Sequence, residues 1–220
     1  MQHAVADGRV SPAHAHVRPD RNPRPEPMSS IAASFRRWPA LIALLLSMTA
    51  LSAHAETYRM DLIVFLDRYA PTEAGVAGQA ADTGTAIDPG DAAALQAAGI
   101  TVLPDAAFGL QTEWRRLQNS KRFEPLVHLS WTQRDPPSRD GPAIHVRWGQ
   151  PGADGVFPVD GRVKLLIPER YLTLDTDLLY SSGGRSWRLD TRRRMRRDEL
   201  HHLDSARLGI LARVTKADGP

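Results

Sequence analysis

The chain has no cysteine among its 220 residues. That excludes disulfides, thiolate metal sites and a cysteine nucleophile, and also a lipidated N-terminus, which needs a cysteine at its cleavage point. Other signatures are missing as well. There is no P-loop, no G-x-G-x-x-G, no G-x-S-x-G nucleophile elbow and no H-E-x-x-H zinc spacing. No internal repeat occurs. An excess of one charge is lacking beyond the N-terminal part: residues 1–55 carry six Lys/Arg against three Asp/Glu, and residues 56–220 carry 22 of each. So even a balance argues against a nucleic-acid partner, despite the net charge of +3.

What is present begins with a leader. Residues 28–55 have the three parts of a secretory signal. Arg36 and Arg37 supply the charge, residues 38–51 the apolar stretch, and Ala53-His54-Ala55 an A-x-A site with small side chains at −3 and −1. The apolar stretch is about 14 residues, short of the ~20 that span a bilayer core, so cleavage after Ala55 is expected rather than a retained membrane anchor. Residues 1–27 are rich in Pro, His and Arg and read as a disordered extension or a mis-assigned start. The expectation is a periplasmic protein of a Gram-negative envelope, with one domain over residues 56–220.

Within that domain, residues 57–66 read as a strand. Tyr58, Met60, Leu62 and Val64 share one face, and Ile63 and Phe65 occupy the other, which suits a central position in a sheet. Residues 70–107, rich in Ala, Gly, Asp and Thr, read as a long loop with a short helix near 91–98. Residues 109–121 read as a helix with Leu110, Trp114 and Leu117 in one stripe. Strands are expected at 125–133, 143–148, 161–167, 171–180, 185–197 and 208–214, with Ser181-Ser182-Gly183-Gly184 as a hairpin turn. The predicted fold class is α+β: a curled antiparallel β-meander sheet packed on one long helix.

The densest chemical feature runs from Arg192 to Asp204. On a strand, Arg188, Arg192, Arg194 and Arg196 share a face. Such a row is either a cross-strand salt-bridge ladder with Asp175, Asp177 and Glu199, or an anionic ligand site, because guanidinium binds carboxylate and phosphate bidentately. Candidate ligand-binding residues are Arg192, Arg194, Arg196, Glu199 and His201, with Trp131 and Trp187 as aromatic platforms for sugars; a strand tryptophan is otherwise core. Adjacent His201 and His202 point to opposite sides of an extended chain, which disfavours a metal. No cofactor and no catalytic residue is expected.

The segment Arg193-Arg194-Met195-Arg196-Arg197-Asp198-Glu199-Leu200-His201-His202-Leu203-Asp204, followed by Leu208-Gly209-Ile210-Leu211, resembles the end of the peptidoglycan-binding CsiV family. Residues 58–65 are similar to that family's opening strand. Leu117, Ser120, Phe123, Leu126, His128 and Trp131-Thr132-Gln133 are similar to a second run, and Gly161, Leu165, Tyr171-Leu172 and Asp177-Leu178 to its hairpin. His202 stands where the family has Tyr, and Ser205-Ala206 where it has His-Pro. The resemblance implies a periplasmic, non-enzymatic peptidoglycan-binding protein that supports cell-wall assembly, with a synthase or its regulator as a further partner. The alternatives are an envelope scaffold that binds another protein without glycan affinity, and a hydrolase.

Overall fold

The computed structural model describes residues 55–72 and 75–217. The expected extension and leader, up to residue 54, lie outside the described residues. Nine strands are described: β1 (Thr57–Asp67), β2 (Ile100–Val102), β3 (Phe123–Arg134), β4 (Ile144–Trp148), β5 (Val159–Leu166), β6 (Thr173–Ser182), β7 (Arg185–Arg194), β8 (Leu200–Asp204) and β9 (Leu208–Lys216). The helices are α1 (Ala92–Ala97) and α2 (Gln111–Gln118), with 3₁₀ turns at Asp105–Ala107 and Pro168–Arg170. No helix among the described residues is long and apolar enough to cross a membrane.

The strands form two antiparallel sheets, ordered β2-β3-β1-β9-β8 and β4-β5-β6-β7. This corrects the predicted single curled sheet on a long helix: there are two sheets, and the longer helix has only eight residues. The reason lies in β1, which is apolar on both faces. Its Met60, Leu62 and Val64 join Leu129 and Trp131 of β3 and Ile210, Ala212 and Val214 of β9, and all pack with Val163, Leu165, Leu174, Leu178 and Leu189 of the second sheet in one core. A helix of eight residues could not cover that surface, so a second sheet does. On the other face, Ile63 and Phe65 meet Leu110, Leu117 and Trp114, the stripe read from the sequence.

Local irregularities have local causes. Pro125, which has no N–H to give a ladder, sits where the β1–β3 register shifts by a residue between Val64 and Phe65. Residues 75–107 are not a free loop. Val76 exchanges backbone hydrogen bonds with Ser186 at 2.9 Å each way, Ile87 bridges Ala143 and His145, and β2 adds an edge strand to β3. That segment is therefore stitched to both sheets.

Candidate functional site

The arginine run lies where the chain leaves one sheet for the other. β7 ends at Arg194 in the four-stranded sheet, and β8 starts at Leu200 in the five-stranded sheet. The crossing is pinned by backbone groups: Met195 N–H donates to Leu172 O at 2.7 Å, and Asp198 N–H donates to Val214 O at 2.8 Å. Met195 is buried at 4% exposure and anchors the turn, and Asp198 takes a left-handed φ of 65°. The backbone N–H of Arg196 donates to Nε2 of His201 at 3.0 Å, closing the turn. The expected strand 185–197 thus stops at Arg194, its last three residues belong to this turn, and β8 was not foreseen.

A groove of about 620 Å³ opens at this crossing, lined by Arg193, Arg194, Arg196, Glu199 and His201 among others. Four of the seven sequence candidates meet here. The guanidinium of Arg194 lies 3.1 Å from the centre of the Tyr171 ring, a cation–π contact. Arg196 reaches Glu199 at 3.6 Å, with side chains 78% and 53% exposed, so the pair is weak. Arg193 forms no ion pair among the described residues.

Arg192 falls elsewhere. Its Nε donates to Asp175 at 3.0 Å, a second guanidinium N–H contacts the same carboxylate, and it lines a different cleft with Lys164 and Arg139. Arg188 binds Asp177 with two bonds of 2.7 and 2.6 Å. Each carboxylate holds its guanidinium well protonated, above the ordinary arginine range, through these hydrogen bonds. This half of the row is the cross-strand ladder that alternation allowed; the other half, Arg194 at the end of β7 and Arg196 beyond it, lines the groove at the crossing without a close ion pair.

Neither tryptophan can serve as a sugar platform. Trp131 is 1% exposed within the core, where its Nε1 donates to Gln133. Trp187 is 4% exposed, with Tyr180 at 5.7 Å, the Arg207 guanidinium at 4.8 Å, and Gly75 laid against its ring. Stacking on a ligand requires an open ring face, and both faces are taken by packing. The exposed aromatic at the crossing is Tyr171, at 43%. Sequence reading missed it because it sits in a 3₁₀ turn exit rather than on an alternating strand. Arg193 was missed for a related reason: alternation assigns it to the face of Trp187 and Leu189, and that face opens once the chain departs toward β8.

His201 and His202 do take opposite faces. His202 stacks on Phe65 at 5.7 Å on the outer face, while His201 closes the arginine turn. Among the described residues, no three His, Asp, Glu or Cys side chains are grouped as a metal site. Nothing matches the chain among the curated proteins or the solved structures. The family model described as peptidoglycan-binding protein, CsiV, matches residues 39–217, and with that span the chain belongs to the CsiV family.

Proposed function

We propose that this protein is a non-enzymatic peptidoglycan binder of the periplasm that supports wall assembly, and that it holds the wall through the groove of Arg193, Arg194 and Arg196. The observation that carries this reading is three guanidinium groups on one groove, of which Arg193 and Arg194 form no ion pair among the described residues and Arg196 only the weak one with Glu199, in a family described as peptidoglycan-binding. Wall stem peptides carry free carboxylates, and guanidinium binds these bidentately. Glu199 and His201 shape the turn that presents the arginines. A wall synthase or its regulator is the proposed protein partner.

The test is sedimentation with purified sacculi. Arg193→Ala/Arg194→Ala/Arg196→Ala should bind about tenfold less tightly, a loss of ~1.4 kcal/mol. Arg192→Ala, whose side chain belongs to the ladder, should bind as wild type. Equal sedimentation of the folded triple variant and the wild type would remove the groove from the site.

Export is part of the same proposal. Glu56 N–H donates to Asp135 Oδ1 at 2.9 Å, and Asp135 N–H donates to Glu56 O at 2.9 Å. Cleavage after Ala55 would turn that first N–H into an ammonium with a carboxylate already in place, adding about 0.5–1 kcal/mol at an exposed position. N-terminal sequencing of protein recovered from periplasm should begin at Glu56. Recovery of the intact chain from Met28 onward in cytosol would contradict export.

A further inference from the structure

The crossing from β7 to β8 has two open sides. The groove described above is on one. On the other lies a cleft of about 350 Å³, lined by Tyr58, Arg170, Tyr171, Arg194, Arg196 and Arg197 over a floor of Leu172 and Met195. Arg194 and Arg196 line both, so the segment between them is a ridge with a basic groove on each flank. Across the two grooves, Arg170, Arg193, Arg194, Arg196 and Arg197 face only two lining carboxylates, Glu56 and Glu199. Glu56 is already occupied: Tyr58 Oη donates to it, Lys216 Nζ donates at 2.9 Å, and these bonds hold its carboxyl below the usual range. Burial, then the bond to Glu56, push the Tyr58 phenol up to about 12, so it stays a neutral donor.

The backbone here is strained in a way that sets it apart. Glu169 and Arg170 both adopt left-handed conformations, φ 49° and 70°, and Asp198 at the ridge does so at 65°. Of the five non-glycine residues with positive φ among the described residues, Arg170 lines the second groove, and Glu169 and Asp198 each adjoin a lining residue in sequence. Each such residue costs about 1–3 kcal/mol, and the strain places Arg170 and Tyr171 beside the ridge. A surface kept only for solubility has no need of it.

We propose that the ridge reads two anionic groups at once, and that its ligand is a peptide bearing at least two free carboxylates, one in each groove. This rests on the peptidoglycan-binding reading above and adds the second subsite. Arg194 and Arg196, shared by both grooves, fix the spacing. Arg193 belongs to the first groove and Arg170 and Arg197 to the second.

The probes are soluble disaccharide-peptide wall fragments with two free carboxylates, and the same fragments with one carboxylate amidated. Affinity is measured by calorimetry for wild type, Arg193→Gln and Arg170→Gln/Arg197→Gln, with melting temperature as the control for folding. For wild type, amidation should weaken binding about tenfold. In Arg170→Gln/Arg197→Gln, the two-carboxylate fragment should bind about tenfold more weakly than to wild type, and amidation should make little further difference. If that variant binds both fragments as wild type does while Arg193→Gln loses affinity, the second subsite falls and the wall-binding reading stands. If wild type binds neither fragments nor sacculi, both fall.

Discussion

Replacing Asp61 by alanine should lower the unfolding free energy by about 3 kcal/mol, the upper range for loss of a buried charged acceptor. Asp61 is 1% exposed on the outer face of the central strand. It accepts from Ser130 Oγ at 2.6 Å, Arg59 Nε at 2.9 Å and the Gly109 N–H at 3.1 Å, and lies 3.7 Å from Arg213. Arg59 and Arg213 are about a third exposed and can turn to water, so most of the cost falls on Ser130 and Gly109. Gly109 is the point where the chain enters α2. Its carbonyl accepts from His128 Nε2 at 2.6 Å, so the glycine is clamped between Asp61 and His128. A β-carbon at Gly109 would lie 2.3 Å from the Asp61 carboxyl carbon. Losing the carboxylate releases α2 and uncovers Ile63 and Phe65. For a domain of this size, 3 kcal/mol corresponds to about 6–12 °C in Tm. Melting followed by circular dichroism would read it; an Asp61→Ala protein melting within 2 °C of wild type would show that the network contributes nothing.

Gly161→Ala should be at least as damaging, and for a backbone reason. Gly161 has φ +153°, and a β-carbon there would lie 2.1 Å from the carbonyl oxygen of Asp177 and 2.8 Å from Leu178 Cα. Those are main-chain atoms of the neighbouring strand and cannot swing aside. Gly161 pairs with Leu178, at the centre of the four-stranded sheet. A methyl group wedges β5 from β6, and it also disturbs Asp177, which holds Arg188. Backbone strain and overpacking add about 1–3 kcal/mol each, so a loss above 3 kcal/mol is expected, enough to leave much of the chain unfolded. Soluble yield and the urea midpoint are the measurements. A midpoint matching wild type would mean that the strands separate here without cost.

Much of the local structure could be read from residue order. The two-faced apolar pattern of β1 announced a central strand, and β1 does lie between β3 and β9. Leu110, Trp114 and Leu117 announced the helix and its packing face, although Leu110 itself takes a left-handed conformation just before α2. The tight turn at Gly183-Gly184 announced the β6–β7 hairpin. The partition into two sheets was not legible. It depends on β1 finding β9 some 150 positions along the chain, and nothing local distinguishes a strand that continues a meander from one that changes sheets. The arginine row was half legible. Alternation and the opposite strand predicted Asp175 and Asp177 as partners for Arg192 and Arg188. The turn at Asp198 that takes Arg196 out of that row, just past Arg194 at the end of β7, carries no glycine or proline to mark it. The tryptophans failed as site candidates because alternation gives the face of a strand, and only the second sheet decides that the face is sealed.

The position of β1 also constrains how the molecule can assemble. Its Tyr58–Leu66 stretch pairs with Leu208–Lys216, so the first of the nine described strands waits for the ninth. Contacts of such long sequence separation carry a large loop-closure cost and are formed slowly. No fragment that stops short of β9 can close the five-stranded sheet on its own, and a nascent chain stays pliable until β9 is available. On the export proposed above, the chain gains from that delay, since early compaction would jam its passage through a narrow channel.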